Sequence, residues 1–153
     1  MNDEMLIAAA FSQLEEIEAI HGATIPAAVI ERPFMAADIE LRLANRAQAI
    51  FKPAAMKGGA ISIKTVISRD GTPNIYNDHL NDEGFYHYSL EAGDPHKGRN
   101  ALLWQSLERA SPFIYFHAVV PAVYNAIWPC YVDSIDPVNG YALIAVGYKP
   151  LGP

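Results

Sequence analysis

Residues 113–148 read FIYFHAVVPAVYNAIWPCYVDSIDPVNGYALIAVGY, and this stretch decides the fold class. Three runs rich in β-branched and aromatic residues, Phe113 to Val120, Ile127 to Ser134 and Tyr141 to Tyr148, read as strands. The turn Asp136-Pro137-Val138-Asn139-Gly140 joins the last two. Working outward, Asn100 to Ala110 carries Leu103 and Leu107 four residues apart with Trp104 beside them, and Ser111-Pro112 ends this helix. Before it, Phe85-Tyr86-His87-Tyr88-Ser89 is β-rich, and Glu91 to Gly98 holds Gly93, Asp94, Pro95 and Gly98, which predicts a polar loop. Ile61, Ile63 and Thr65 alternate with Ser62 and Lys64, predicting a strand within Ala60 to Ser68, and Ile39, Leu41 and Leu43 alternate in the same way. Asp70-Gly71-Thr72-Pro73-Asn74 is a turn. At the start of the chain the period changes. Leu6, Ile7, Ala10, Phe11, Leu14, Ile17 and Ile20 recur at three- and four-residue intervals with acids between them, an amphipathic helix stopped at Gly22. A short helical turn lies between Pro26 and Pro33. At least five strands with a helix inserted among them predict an α+β fold: a small curved or closed β-barrel with outer helices. Residues 1–35 form an N-terminal helical segment and residues 36–153 the barrel, as one structural unit.

Composition bounds the function. With 153 residues, 51% hydrophobic and 18% charged, the chain buries one core and is too short for two ordinary domains. No stretch has the roughly 18 uninterrupted apolar residues of a membrane span, and MNDEM at the start is acidic where a signal peptide is basic. The expectation is a cytoplasmic protein without a membrane partner. Net charge is −6, but five acids (Asp3, Glu4, Glu15, Glu16, Glu18) precede Glu31 with no base among them. Between Leu41 and Arg69 the order reverses: Arg42, Arg46, Lys52, Lys57, Lys64 and Arg69 occur with no acid. That segment reads either as a positive face or as solvated loop and strand-edge charge.

Common catalytic signatures are missing: the sequence holds no P-loop, G-x-G-x-x-G, H-E-x-x-H or G-x-S-x-G. His79, His87 and His96 lie close in sequence to Asp78, Asp82 and Asp94, but their spacing fits no metal-ligand scheme, so neither metal nor other cofactor is expected. Cys130, the single cysteine, sits in an apolar run and reads as core. The informative cluster is Tyr76, Asp78, His79, Asp82, Phe85, Tyr86, His87 and Tyr88. Aromatic faces beside a carboxylate suit a planar ligand, since rings stack on bases and a carboxylate accepts from the exocyclic amine of cytosine. The same residues also read as ordinary strand and turn residues.

Tyr76-Asn77-Asp78-His79, then Glu83-Gly84-Phe85-Tyr86-His87-Tyr88-Ser89, then a polar loop to Arg99-Asn100-Ala101-Leu102, resembles the core of SRA domains. These are PUA-like barrels that recognise modified cytosine in DNA. Ile50-Phe51-Lys52-Pro53, Ser62-Ile63-Lys64-Thr65, Gly93-Asp94-Pro95-His96, Pro112-Phe113-Ile114-Tyr115-Phe116-His117 and Trp128-Pro129 are similar, in the same order, to the version found upstream of HNH nucleases in bacterial modification-dependent restriction endonucleases. The resemblance implies a DNA-binding sensor of 5-methylcytosine or 5-hydroxymethylcytosine, acting by base flipping in restriction or phage defence. Its partners are double-stranded DNA carrying the modified base and an HNH nuclease domain or subunit. No HNH motif occurs within these residues, so binding without cutting is expected, and no catalytic residue. The resemblance assigns the base pocket to Tyr76 and Tyr88 as stacking rings, Asp78 or His79 as edge reader, and Ser89 at the strand end. DNA contacts fall to Lys52, Lys57, Lys64, Arg69, His96, Lys97, Arg99 and Asn100. A binder of free modified nucleotides, an RNA-binding PUA-like domain and a protein-interaction module are the alternatives.

Overall fold

A computed structural model of the chain describes residues 1–70 and 78–147. In chain order its elements are α1 (Asp3–His21), β1 (Thr24–Pro26), α2 (Ala27–Ile30), β2 (Phe34–Ala36), β3 (Ile39–Leu41), β4 (Ile50–Phe51), β5 (Ser62–Thr65), β6 (His79–Leu80), β7 (Tyr86–Ser89), α3 (Asn100–Arg109), β8 (Phe113–Val120), β9 (Val123–Asp136) and β10 (Tyr141–Val146). The main sheet runs β4-β5-β8-β9-β10-β7-β6, with β1 also paired to β9. Its neighbours are antiparallel except for β5 and β8. β2 and β3 form a separate two-stranded ribbon.

The fold is therefore α+β, but the expected closed barrel is corrected: β4 and β6 are free ends of the sheet order, and the sheet stays mostly open. The β3 alternation feeds the small ribbon instead of the main sheet. β9 is longer than the run from Ile127 to Ser134, because the residues from Val123 onward already pair with β8. It hands over from β8 to β10 near its cis Trp128–Pro129 peptide, where the β8 register shifts between Phe113 and Tyr115. Residues 1–35 hold α1 and α2 and also donate β1 to the sheet.

Alternation along β8 divides the interior in two. Ile114, Phe116 and Ala118 face α1, whose Leu6, Ile7, Ala10, Leu14 and Ile17 are buried against the same layer. Phe113 and Tyr115 face the opposite way, into a second core with Ile63, Tyr88, Leu103, Cys130, Val132, Ala142 and Ile144. The acidic helix and the second core thus lie on opposite faces of the sheet. α1 is started by Asn2, whose Oδ1 accepts from the backbone N–H of Met5 at 2.9 Å, and Asp3 and Glu4 in the first turn complement the helix dipole. Ile20, on the apolar stripe in sequence, is 80% exposed beyond the last turn that touches the sheet. Among the described residues no helix is long and apolar enough to cross a membrane.

The segment leading into β5 is moored by side chains. Asp3 accepts from the backbone N–H groups of Lys57 and Gly58 and pairs with Arg109 at 3.0 Å. Partial burial raises its pKa, yet those backbone donors and the guanidinium outweigh it and hold the carboxyl below its ordinary value. Gln105 and Ser106 on α3 accept from Gly59 and Ala60. A Cβ at Gly58 would come within 2.7 Å of Arg109 Nη2 and 2.8 Å of Gln105 Oε1, so the ends of those two side chains would have to shift to admit one. Asp3→Ala strips acceptors from two backbone donors and a partner from Arg109, so urea unfolding should show a loss of about 1–3 kcal/mol. A change within a few tenths of a kcal/mol would show that the mooring carries no stability.

Candidate functional site

The second core becomes polar towards the ends of β5 and β8. Thr65 and His117 are cross-strand partners and share the face of Tyr115, while Tyr86 and Tyr88 come to the same face from β7 on the far side of the sheet. The sheet curls enough to bring these arms together. Tyr86 and Tyr88 both meet the Tyr115 ring edge-on, at centroid distances of 5.3 and 5.7 Å, and Tyr86 lies 5.9 Å from the ring of His117. The Tyr88 hydroxyl donates to the carbonyl of Lys64 in β5 at 3.2 Å.

Asp78 closes the gap between the arms. Its Oδ2 accepts from Thr65 Oγ1 at 2.7 Å and its Oδ1 accepts from the backbone N–H of Ser89 at 2.7 Å. Thr65 Oγ1 also forms a short hydrogen bond with the Tyr115 hydroxyl. Each carboxylate oxygen thus retains acceptor capacity, and Asp78 is only half-buried. Burial, first of all, pushes the Tyr115 phenol far above its ordinary pKa, the Thr65 hydrogen bond opposes this, and the Asp78 charge adds to it. The Tyr88 phenol moves up for the same leading reason. Both hydroxyls stay protonated at neutral pH. The site can therefore offer an anionic acceptor edge beside the half-buried rings of Tyr86 and His117.

Of the residues assigned from sequence, Asp78 stands in this cluster, and Tyr76 lies outside the described residues. Tyr88 is corrected from stacking ring to core: it is 2% exposed and offers no free face to a planar ligand. His79 is also corrected. It pairs with His87 across β6 and β7 and stacks on it at 5.2 Å, and His87 stacks on Tyr141 at 4.3 Å. Strand alternation turns His87 away from Tyr86 and Tyr88, so His79 is on the other face from Asp78. Ser89, on the His87 face of β7, gives its backbone N–H to Asp78. His87 and Ser89 instead line a separate cleft of about 590 Å³ between Glu91–Pro95 and Pro137–Gly140.

The expected DNA contacts divide. Lys52 Nζ donates to the carbonyls of Pro53 and Met56, and Lys64 Nζ, on a residue 6% exposed, donates to the carbonyl of Asn45 at 2.9 Å. Burial lowers the Lys64 pKa, with the Glu31 charge working against it. Both amines, expected as phosphate contacts, are committed instead to backbone carbonyls of their own chain. Asn100 is buried and staples the preceding loop, donating to the carbonyls of Glu91 and Asp94 and accepting from the Glu91 N–H. Arg99 grips Glu91 through both Nε and Nη2. His96 stacks on Trp104 at 4.7 Å, and Trp104 donates to the Pro95 carbonyl. These residues shape the loop from Glu91 to Gly98 into a fixed structure. Lys57, Arg69 and Lys97 are exposed. Cys130 is fully buried, and its thiol is pushed up to about 12 by that burial. Among the described residues no three or more His, Cys, Asp or Glu side chains gather in a metal-binding group.

Sequence reading places Tyr86 in the aromatic cluster without a pocket role, and gives Thr65, Tyr115 and His117 no place among the site residues. The available signal was the pair Tyr115 and His117, the polar members of Phe113 to Val120, two apart and therefore on one face. The chain matches no protein-family model, no curated protein and no solved structure.

If Asp78 ties the arms of the sheet together, Asp78→Ala should lower the free energy of unfolding by about 1–3 kcal/mol, and Tyr88→Phe by about 0.5–1.5 kcal/mol. Denaturant titration monitored by the aromatic near-UV signal checks both. Equal stability of Asp78→Ala and the parent would show that the strands meet without its help.

Proposed function

We propose that this chain is a DNA-binding reader of modified cytosine, taking a base flipped out of the duplex against the concave face of the sheet. One observation carries the reading: a half-buried carboxylate, Asp78, is fixed by two hydrogen bonds with acceptor capacity left over, inside a wall of aromatic rings. An exocyclic amine is the natural donor to such an oxygen, and cytosine presents one at its 4-position. Flipping costs a few kcal/mol, to be recovered by this edge contact, ring contacts and backbone binding. In this reading Tyr86 and His117 flank the base and Asp78 accepts from its amine, while Tyr76 keeps the stacking role that the resemblance to SRA domains implies. Lys57, Arg69 and Lys97 serve the phosphates. The buried stripe of the acidic α1 packs against the opposite face of the sheet from Tyr115, and Asp3 at the start of that helix spends its carboxylate on the backbone N–H groups of Lys57 and Gly58 and on Arg109. A sensor of this kind would serve modification-dependent restriction or phage defence, with cleavage left to a nuclease partner.

A second reading has its own support. Lys52 and Lys64 are committed to backbone carbonyls, which leaves fewer cations for a polyanion and favours a free modified nucleotide as ligand.

Fluorescence anisotropy with identical duplexes carrying cytosine, 5-methylcytosine, 5-hydroxymethylcytosine or N6-methyladenine tests the first reading. One cytosine modification should bind at least about tenfold tighter than cytosine, a difference of about 1.4 kcal/mol, and Asp78→Asn, which alters the acceptor for the 4-amine that all these cytosines share, should weaken binding of that preferred duplex. Replacing Lys57 and Arg69 should flatten the slope of log K against log salt by roughly 1–2 units, while replacing Lys52 should leave it unchanged. Equal binding of all four duplexes, with tight binding of the free modified nucleotide, would transfer the assignment to the second reading.

A further inference from the structure

The hydrogen bonds around Thr65 have only one consistent direction. Thr65 has a single hydroxyl proton and donates it to Asp78 Oδ2. In the short Thr65–Tyr115 contact, where geometry alone leaves the donor open, Thr65 must then be the acceptor and the Tyr115 hydroxyl the donor. Burial keeps the phenol protonated, as required of a donor. The result is a directed chain, Tyr115 to Thr65 to Asp78, in which every proton points toward the carboxylate. The two hydroxyl residues are nearly sealed from water, Tyr115 at 0% and Thr65 at 6% exposure, so water cannot replace a missing partner.

We infer that Thr65 is a positioning residue that fixes Asp78 as an acceptor-only edge and so makes the site select a ligand edge that donates at the 4-position over one that accepts there. This deepens the base-reader reading and rests on it. The selection matters because 5-methylcytosine and thymine share the 5-methyl group and the ring. They differ where the first carries an amine and the second a carbonyl. A 5-methyl pocket alone cannot separate them. A carboxylate locked by Thr65 on one oxygen and by the Ser89 N–H on the other cannot swing its oxygens aside for the thymine carbonyl. With Thr65 as valine, Oδ2 loses its anchor, the carboxylate gains freedom to rotate, and the Tyr115 hydroxyl loses its acceptor. With Thr65 as serine, the chain is preserved.

The test compares two duplexes that differ only in 5-methylcytosine or thymine opposite guanine, for the parent chain, Thr65→Val and Thr65→Ser. The parent and Thr65→Ser should prefer 5-methylcytosine, and Thr65→Val should lose at least tenfold of that preference. A purely structural role for Thr65 would weaken both duplexes equally, so an unchanged ratio in Thr65→Val overturns the inference and leaves the base reader standing. Should Thr65→Val fail to fold, the pair Thr65→Val with Tyr115→Phe removes the orphaned phenol and carries the same comparison. A readout without DNA accompanies it. The Tyr115 hydroxyl proton should give a slowly exchanging NMR signal in the parent and in Thr65→Ser, lost in Thr65→Val. Its persistence in Thr65→Val refutes the directed chain. A parent chain that prefers no modified duplex at all overturns the base-reader reading, and this inference with it.

Discussion

Curling an open sheet until strands from its two sides meet creates a problem that backbone pairing does not solve here. β5 and β7 are separated in the sheet order by β8, β9 and β10, so no ladder joins them. The join is made by side chains: the Asp78 carboxylate between Thr65 and Ser89, and the Tyr88 hydroxyl on the Lys64 carbonyl. A carboxylate suits this position because it accepts on two oxygens that diverge, one toward each arm, and hydrogen bonds to a charged acceptor are the stronger kind. A closed barrel would bury its strand edges in continuous pairing. This sheet leaves the junction polar, and that is why a ligand-competent group can exist there.

The two faces of β8 set where everything else goes. Phe116 and Ala118 accept the apolar stripe of α1, so the acidic surface of that helix is carried to the side away from Tyr115 and His117. Even there the acids are not all idle, since Glu18 accepts from the Trp128 indole N–H at 2.6 Å across the packed layer. The opposite face receives Leu103 from α3. α3 in turn holds two loops: Gln105 and Ser106 secure the approach to β5, and Asn100 and Trp104 secure the loop that follows β7. Both arms that reach Asp78 are thus referenced to a single helix, which limits how far they can move independently.

The parts of this architecture that sequence made legible were those with a period or a marked composition. The apolar stripe of α1 follows from spacing, β8 and β10 from their β-branched and aromatic content, and the helix at Asn100 from its leucines and the following Ser-Pro. Short pairings were illegible for a physical reason. β1, β4 and β6 are only two or three residues long, too short to show a period, and exist because longer neighbours offer open ladders. Closure was misjudged because strand count does not reveal which strands stop pairing. The assignment of Asp78 was accessible from its place between aromatic residues. The burial of Tyr88 was not, since Tyr86 and Tyr88 share one face and only the tertiary curl decides which of them is sealed.

Lys64 shows why charge patterning misled most where it mattered. As one of six bases in an acid-free stretch it reads as part of a positive face, yet its backbone N–H donates to Ala49, its carbonyl accepts from Tyr88, and its ammonium donates to Asn45. All its polar groups are spent on holding β5. Partial desolvation of the ammonium, seen in its lowered pKa, costs stability that an apolar residue would not. The arrangement nevertheless makes structural sense beside Thr65. On one face the lysine anchors β5 to the Asn45 turn, and on the other the threonine hydroxyl points at Asp78. Fixing the strand from both faces fixes the hydroxyl, and the direction of that one hydroxyl determines which edge the carboxylate can present.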